Sequence, residues 1–337
     1  MNLFKKVACF TDIHFGLKSN SVTHLKDCED FVDWFIETAQ SNGCETGIFL
    51  GDWSHNRNSL NLITLDTSIR CLEKLGAAFE KFIWFPGNHD LYYKDKRDIH
   101  SSVFGRHIPG VTVVDSVTTL GGVTLVPWLV GDEWKAMKSV KSKYIFGHLE
   151  LPQFMMNAMV QMPDHGELQV TDFKGPDYVF TGHFHKRQNK NNIWYIGNAF
   201  PHNFADNWDD ERGMMVLEWG GRPEFIDWLD CPKYRVVKLS DLIDDPDRII
   251  KSKMHLKVML DVDISFEEAN FIKENFVAQY NIREISLVQD KNNLDNGFDD
   301  NPDTKFESVD QIVIEQLVNI DSQQINKNTL LEIYKNL

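Results

Sequence analysis

The sequence predicts an α/β protein, with two sheets flanked by helices over the first ~230 residues and a smaller α/β unit beyond. Three observations predict it. Short apolar runs alternate with amphipathic helical stretches from Lys6 to Phe85. Each of these runs ends in a cluster of Asp, Asn or His. From Val111 the alternation gives way to short strands around Gly121-Gly122.

Lys6–Thr11 reads as a strand ending in Asp12-Ile-His14-Phe-Gly16. A helix follows with Cys28, Phe31, Val32, Phe35, Ile36 and Ala39 on one face, stopped by Ser41-Asn42-Gly43. Thr46–Leu50 is the next strand, ending in Gly51-Asp52-Trp-Ser-His55. Leu60, Ile63, Ile69, Leu72 and Leu75 mark a second helix closed by Gly76. Lys81–Phe85 is a third strand, ending in Pro86-Gly-Asn88-His89-Asp90. Val111–Asp115 and Gly122–Val126 read as a hairpin. Lys143–Phe146 leads into Gly147-His148, and Asp177–Thr181 into Gly182-His183-Phe-His185. On an extended segment residues two apart point the same way, so His183 and His185 can reach one spot. Ile193–Ile196 precedes Gly197-Asn198, and Gly213–Trp219 with Pro223–Trp228 reads as an antiparallel pair. The smaller unit has strands at Leu256–Leu260 and Arg283–Val288 around a helical face of Ala269, Ile272, Phe276 and Tyr280. Residues 291–303, rich in Asn, Asp and Gly, read as an acidic linker. Val309–Leu337 has a helical apolar pattern with a break near Asp321-Ser322.

Composition narrows the class. The chain is 42% hydrophobic and 25% charged, as expected of an ordinary globular protein, and no stretch approaches a membrane span. Met-Asn-Leu-Phe-Lys-Lys runs into a strand without the pattern of a signal peptide, which predicts a cytoplasmic protein. Five scattered cysteines without CxxC spacing fit reduced thiols and argue against a disulfide framework or structural zinc. The net charge of −15 argues against gripping nucleic acid through the chain's own surface. A polyanionic substrate then requires bound cations, a local basic patch or a partner subunit.

The strand-end residues are Asp12, His14, Asp52, Asn88, His148, His183 and His185, an oxygen and imidazole set without sulfur. Such donors suit Mn²⁺, Fe²⁺ or Zn²⁺, and the histidines argue against a site for Mg²⁺ alone. Seven donors exceed one ion's needs and suit two ions sharing a carboxylate, with a water between them made acidic.

Asp12-X-His14, Gly51-Asp52, Gly87-Asn88-His89-Asp90, Gly147-His148 and Gly182-His183-X-His185 resemble, in order, the five motifs of the calcineurin-like metallophosphoesterases. The resemblance covers about residues 5–230 and implies a four-layer αββα sandwich. It also implies that Asp12, His14, Asp52 and His185 hold one ion, and that Asp52, Asn88, His148 and His183 hold the other. His89 is implied to act on the departing oxygen, with Asp90 orienting its ring. Phe10-Thr-Asp-Ile-His-Phe-Gly16 and His55, three past Asp52, are most similar to the SbcD-type nucleases, where that histidine orients the phosphate. Tyr195–Pro201, Asn203-Phe204 and Arg212-Gly213 are similar to the segment after their last motif. One departure is Asn198, where many members carry Ser, which puts the DNA-facing role of that turn in question.

What the resemblance implies is a phage-encoded, Mn²⁺-dependent exo- and endonuclease, with Mg²⁺, Fe²⁺ or Zn²⁺ as alternative ions. Its substrate is DNA, double- or single-stranded ends, in repair, recombination and replication. The expected domains are a nuclease domain at 1–232, an α/β capping domain at 233–290, a linker at 291–305 and a helical tail at 306–337. The tail is expected to dock on an SbcC/Rad-fifty-like ATPase, and the nuclease to form a homodimer in the host cytoplasm, away from membranes. A small-molecule phosphodiesterase or phosphatase is the alternative enzyme, and a structural DNA-end-binding subunit the alternative of another class. His24, His100, His107, His165, His202 and His255 stand outside the motifs and are expected to be packing or surface residues, His202 least securely. Trp53, Trp128 and Trp194 are expected in the core.

Overall fold

The computed structural model describes residues 2–156 and 160–289. The linker and helical tail expected beyond Asp290 lie outside them.

Four strands open the chain's first sheet: β1 (Lys6–Phe10), β2 (Thr46–Phe49), β3 (Lys81–Trp84) and β4 (Val111–Val113), each parallel to the next. The chain then builds a second sheet from β5 (Thr118–Leu120), β6 (Val123–Val126), β7 (Tyr144–His148), β8 (Tyr178–Gly182), β9 (Gln188–Lys190) and β10 (Ile193–Tyr195), in the order β5-β6-β7-β8-β10-β9. Strands β6, β7, β8 and β10 are parallel. It returns to the first sheet through β11 (Gly213–Glu218) and β12 (Glu224–Asp227), the expected antiparallel pair, with β11 antiparallel to β1. The third sheet holds β13 (Lys233–Lys238), β14 (Met254–Leu260) and β15 (Glu284–Gln289).

Alternation along each strand divides the core. In β1, Val7 and Cys9 join Ile48, Leu50, Ile83 and Met215 against Val123, Leu125, Phe146 and Phe180 of the second sheet. Ala8 and Phe10 face the other way, toward Phe31, Val32, Phe35, Cys71, Leu72 and Leu75. These lie on helices α1 (Val22–Ser41) and α2 (Leu62–Ala78). The two sheets therefore pack face to face, with helices on the first. The second sheet is backed by Leu149, Leu151, Phe154, Met162, Leu168, Val170 and Phe173. That outer layer is mostly irregular, because Pro152, Pro163 and Gly166 interrupt its apolar residues.

Three sequence expectations are corrected. Val111–Val113 is no hairpin partner of Val123–Val126; it extends the first sheet, and the hairpin is made by β5 and β6. Gly76 does not close α2, which runs on to Ala78. A Cβ at Gly76 would overlap the Pro109 carbonyl oxygen, so the glycine serves a close approach and not a stop. Leu60 and Ile63 are exposed, so the buried face of α2 begins only at Thr64.

The third sheet has its own core of Val237, Leu242, Met254, Leu256, Val258, Ala269 and Ile285. Arg283 binds Asp27 of α1 through two 2.6 Å hydrogen bonds, and Lys18 donates to the Tyr234 hydroxyl. Phe204 packs edge-on against Tyr234. The small unit is thus fastened beside the loops that follow β1 and β10. No helix among the described residues is long and apolar enough to cross a membrane.

Candidate metal centre

The parallel strands of both sheets end toward one place, and their last residues meet there. Asp12, His14, Asp52 and His183 all have left-handed backbones, with φ of 51°, 52°, 61° and 93°. Each costs roughly 1 kcal/mol or more in an L-residue, a cost typical of functional sites. Gly87 explains the first half of its Gly-Asn-His motif. Any Cβ there would overlap Asp52 Oδ1, so the turn after β3 closes on the carboxylate only with glycine.

Two donor clusters share Asp52. In the first, His14 Nε2 lies 3.2 Å from His185 Nε2, 3.8 Å from Asp52 Oδ2 and 4.0 Å from Asp12 Oδ1. In the second, Asn88 Oδ1 lies 3.1 Å from His148 Nε2 and 2.9 Å from His183 Nδ1, with His148 Nε2 3.5 Å from Asp52 Oδ2. Ligands bound at ~2.1 Å stand roughly 3.0 Å apart at a right angle and about 4.2 Å apart in opposition. Every separation falls in or beside that range. The seven residues singled out at the strand ends come together, divided four and four with Asp52 common.

The donor chemistry fits cations. His148 Nδ1 donates to the Leu50 carbonyl oxygen at 2.7 Å, so a neutral ring presents a lone pair at Nε2 to the oxygens of Asn88 and Asp52. Only a proton or a metal cation reconciles such a meeting of acceptors. Without the metal the proton is held firmly: burial opposes it, but the Asp52 charge and hydrogen bond raise His148 to about 9. Burial works against the Asp52 carboxylate too, yet His148 and His14 hold it well below the usual range. His14 is held well below the usual imidazole range, by burial first. Its Nδ1 has no hydrogen-bond partner.

His89 and His55 lie alongside. The His89 ring is 4.9 Å from that of His14 and stacks on His55 at 5.5 Å. Single nitrogens of His14, His55 and His89 come within 4.8 Å of one another, but that triad contains no carboxylate. His89 Nδ1 donates to the His55 carbonyl oxygen at 2.8 Å, leaving Nε2 outward. This corrects the expectation for Asp90. Its carboxylate does not orient the His89 ring but accepts from the backbone N–H groups of Gly87, Asp52, Trp53 and Ser54 and from Ser101. Asp90 ties the turns after β2 and β3 together. Burial and the Asp52 charge push it up to about 6, against the Ser54, Gly87 and Trp53 donors.

Asn198 is fully buried, its Oδ1 accepting from Arg212 Nε at 2.5 Å, so it braces the loop after β10 from within. Three residues beside the site had no assigned part. Glu150 Oε2 accepts from His183 Nε2 at 3.0 Å, fixing which nitrogen faces Asn88, and that bond lowers its carboxyl pKa. Its two-residue spacing from His148 was the available signal. Trp128 is half-buried, with its ring 5.0 Å from His183 and 6.0 Å from His148. His202 is buried against His14 and His185, and its place in the loop after Gly197, beside the segment similar to the nucleases', was the available signal.

Two face-to-face sheets whose parallel strands end on shared carboxylate, amide and imidazole donors define a metal-dependent phosphodiesterase. The chain belongs to the calcineurin-like phosphoesterase family, which matches residues 5–187 and whose members use divalent metal ions. Over 231 residues it is 28% identical to exonuclease subunit 1 of Enterobacteria phage T4, covering 66% of this chain and 67% of that protein. Among solved structures, the Pseudomonas putida nuclease MPE is similar at 20% identity and a TM-score of 0.29, over 54% of this chain and 62% of that one. The E. coli phosphoesterase YfcE is similar at 16% identity and a TM-score of 0.32, over 63% and 88%.

Proposed function

We propose that this chain is the nuclease subunit of a DNA-end-processing assembly, cutting phosphodiester bonds with two divalent ions, Mn²⁺ first among them. The observation that carries this reading is His89, an imidazole outside both donor clusters yet 4.9 Å from His14 and anchored at Nδ1. A site that merely stored metal would have no use for it. Bound ions would make a shared water acidic and offset charge building on the phosphoryl group. Asp12, His14, Asp52 and His185 would hold one ion, and Asp52, Asn88, His148 and His183 the other.

The remaining steps belong to protein groups. In its doubly protonated form His89 would give its Nε2 proton to, or hydrogen-bond, the departing oxygen while Nδ1–H stays on the His55 carbonyl oxygen and fixes the ring. The His55 ring, stacked on His89, sets the phosphate's position. The relative's description as an exonuclease subunit supports DNA as substrate and a multi-subunit setting. We assign residues 1–232 to the nuclease domain and 233–290 to the capping domain. Residues 291–305 are assigned as a linker, and 306–337 as the tail that engages an SbcC/Rad-fifty-like ATPase. A homodimer acting on DNA in the host cytoplasm during repair, recombination and replication completes the reading.

The test is end-labelled double- and single-stranded DNA with purified full-length protein, Mn²⁺ or EDTA, beside phosphomonoester and cyclic phosphodiester substrates. Mn²⁺-dependent DNA cleavage is expected. His89→Ser should lower it by at least ~10²-fold with metal content unchanged. Hydrolysis of the small esters with DNA left intact would move the chain to the phosphatase or small-molecule phosphodiesterase reading.

A further inference from the structure

His202 lies on the loop between β10 and β11, seven residues past the end of β10 at Tyr195. It is 1% exposed, and neither ring nitrogen has a hydrogen-bond partner. An imidazole buried with both nitrogens unmet forfeits a few kcal/mol of hydrogen bonding, so such a ring calls for an explanation. Its surroundings are unusual. The ring sits edge-on to His14 at 5.5 Å, to His185 at 5.4 Å and to His24 at 5.5 Å. One nitrogen each of His14, His185 and His202 falls within a 4.8 Å circle.

None of the neighbouring polar groups serves the ring, although His14 Nδ1 and Asn198 Nδ2 are themselves without a partner. Asp206 Oδ2 accepts from the His202 backbone N–H at 2.8 Å, which fixes the loop and leaves the ring unserved. His24 Nε2 donates to the His14 carbonyl oxygen at 3.0 Å. Asn198 binds Arg212, and its backbone N–H donates to the His185 carbonyl oxygen at 3.1 Å. That last bond ties the His202 loop to the segment carrying His185. The loop is therefore built to hold one unpartnered imidazole beside two others that face each other at 3.2 Å.

We propose that His202 is a further ligand of the ion held by Asp12, His14, Asp52 and His185, giving that position three imidazoles. This rests on the two-ion reading above. The second position keeps two imidazoles and the Asn88 amide, so the two become chemically unequal. A third nitrogen donor favours Mn²⁺, Fe²⁺ or Zn²⁺ over Mg²⁺ at the first position only.

The experiment is equilibrium dialysis of metal-stripped full-length protein against MnCl₂, with metal counted by mass spectrometry, for wild type, His202→Phe and His202→Gln. Wild type should bind two ions. His202→Phe, which keeps the buried ring packing without a donor, should weaken one ion by 10- to 100-fold and leave the other unchanged. His202→Gln, whose amide oxygen can bind metal, should lie between. Two ions bound as tightly in both variants as in wild type would overturn the proposal and leave the two-ion reading intact, a buried water then serving His202. Failure of wild type to bind two ions would overturn the two-ion reading itself. Should the variants not fold, anomalous scattering from a manganese-loaded wild-type crystal decides. An ion within roughly 2.5 Å of a His202 nitrogen supports the assignment, and any greater distance overturns it.

Discussion

At the scale of single residues, Asp52 and His24 carry opposite lessons. The carboxylate of Asp52 touches both donor clusters through Oδ2, while its Oδ1 accepts from the His89 backbone N–H at 2.8 Å. Asp52→Ala should therefore release both ions in one step instead of one. Metal analysis finding one ion still bound at full occupancy would contradict its bridging place. His24 lies among packing residues, as its lack of a motif suggested, yet it titrates. Burial, against its bond to the His14 carbonyl, lowers it to about 4 from the ordinary 6.5. The folded state then binds fewer protons than the unfolded chain between those values. Stability is complete above pH 6.5 and drains away as pH falls toward 4, by order of 3 kcal/mol for this group. In chelated protein, His24→Gln keeps a donor for His14 without a titrating ring, so denaturant midpoints should fall less steeply between pH 6.5 and 4.5 than in wild type. Equal slopes would place the acid sensitivity elsewhere, for instance on His14 or His202, both also held well below the usual range by burial.

Elements explain why so much of the centre was legible and why some was not. Strand-end position is a local property: an apolar run and a polar residue, with a glycine between them in every case but Asp12, suffice to put Asp12, Asp52, Asn88, His148 and His183 at the ends of parallel strands. Contacts made only by folding leave no such trace. His202 reaches His14 from a loop 188 residues later along the chain, the difference between the two positions. Asp90 follows the catalytic candidate directly, but its bonds run to four backbone N–H groups in two turns. Strand β4 was misread because three residues of Val-Thr-Val fit a hairpin as well as an added parallel strand, and only pairing with β3 decides. The glycines show the same division. Gly76 resembles a helix stop yet sits inside α2, whereas Gly87 stands where its motif places it. Gly87→Ala tests the second case. The new methyl must push on Asp52 Oδ1, so Mn²⁺ affinity should fall at least tenfold while the melting temperature drops by only a few degrees. Unchanged metal binding would show that the turn can move aside without disturbing the carboxylate.

For the whole molecule the governing quantity is charge. A chain with a net charge of −15 repels a polyanion outside the immediate neighbourhood of its metal centre. The third sheet is fastened by the half-buried Arg283 to Asp27, so this cation holds the small unit in place and is not free to meet a phosphate. On the proposed reading, DNA affinity would therefore come from bound ions and from a partner. The tail expected at 306–337 is the sequence's candidate for recruiting that partner, through Ile312–Ile320 and Leu330–Tyr334. Short amphipathic helices need a groove to bury their apolar face, and in the proposed assembly the ATPase would supply it. Removing everything after Asp303 should leave a metal-loaded protein that still cuts DNA weakly with Mn²⁺. It should no longer co-purify with the ATPase. Its DNA binding should be weak and of shallow salt dependence, since few phosphate contacts remain, whereas the complete assembly should show a steep slope. A truncated chain that retains the ATPase and the steep slope would take the tail out of the assembly and leave the recruiting surface within residues 1–303.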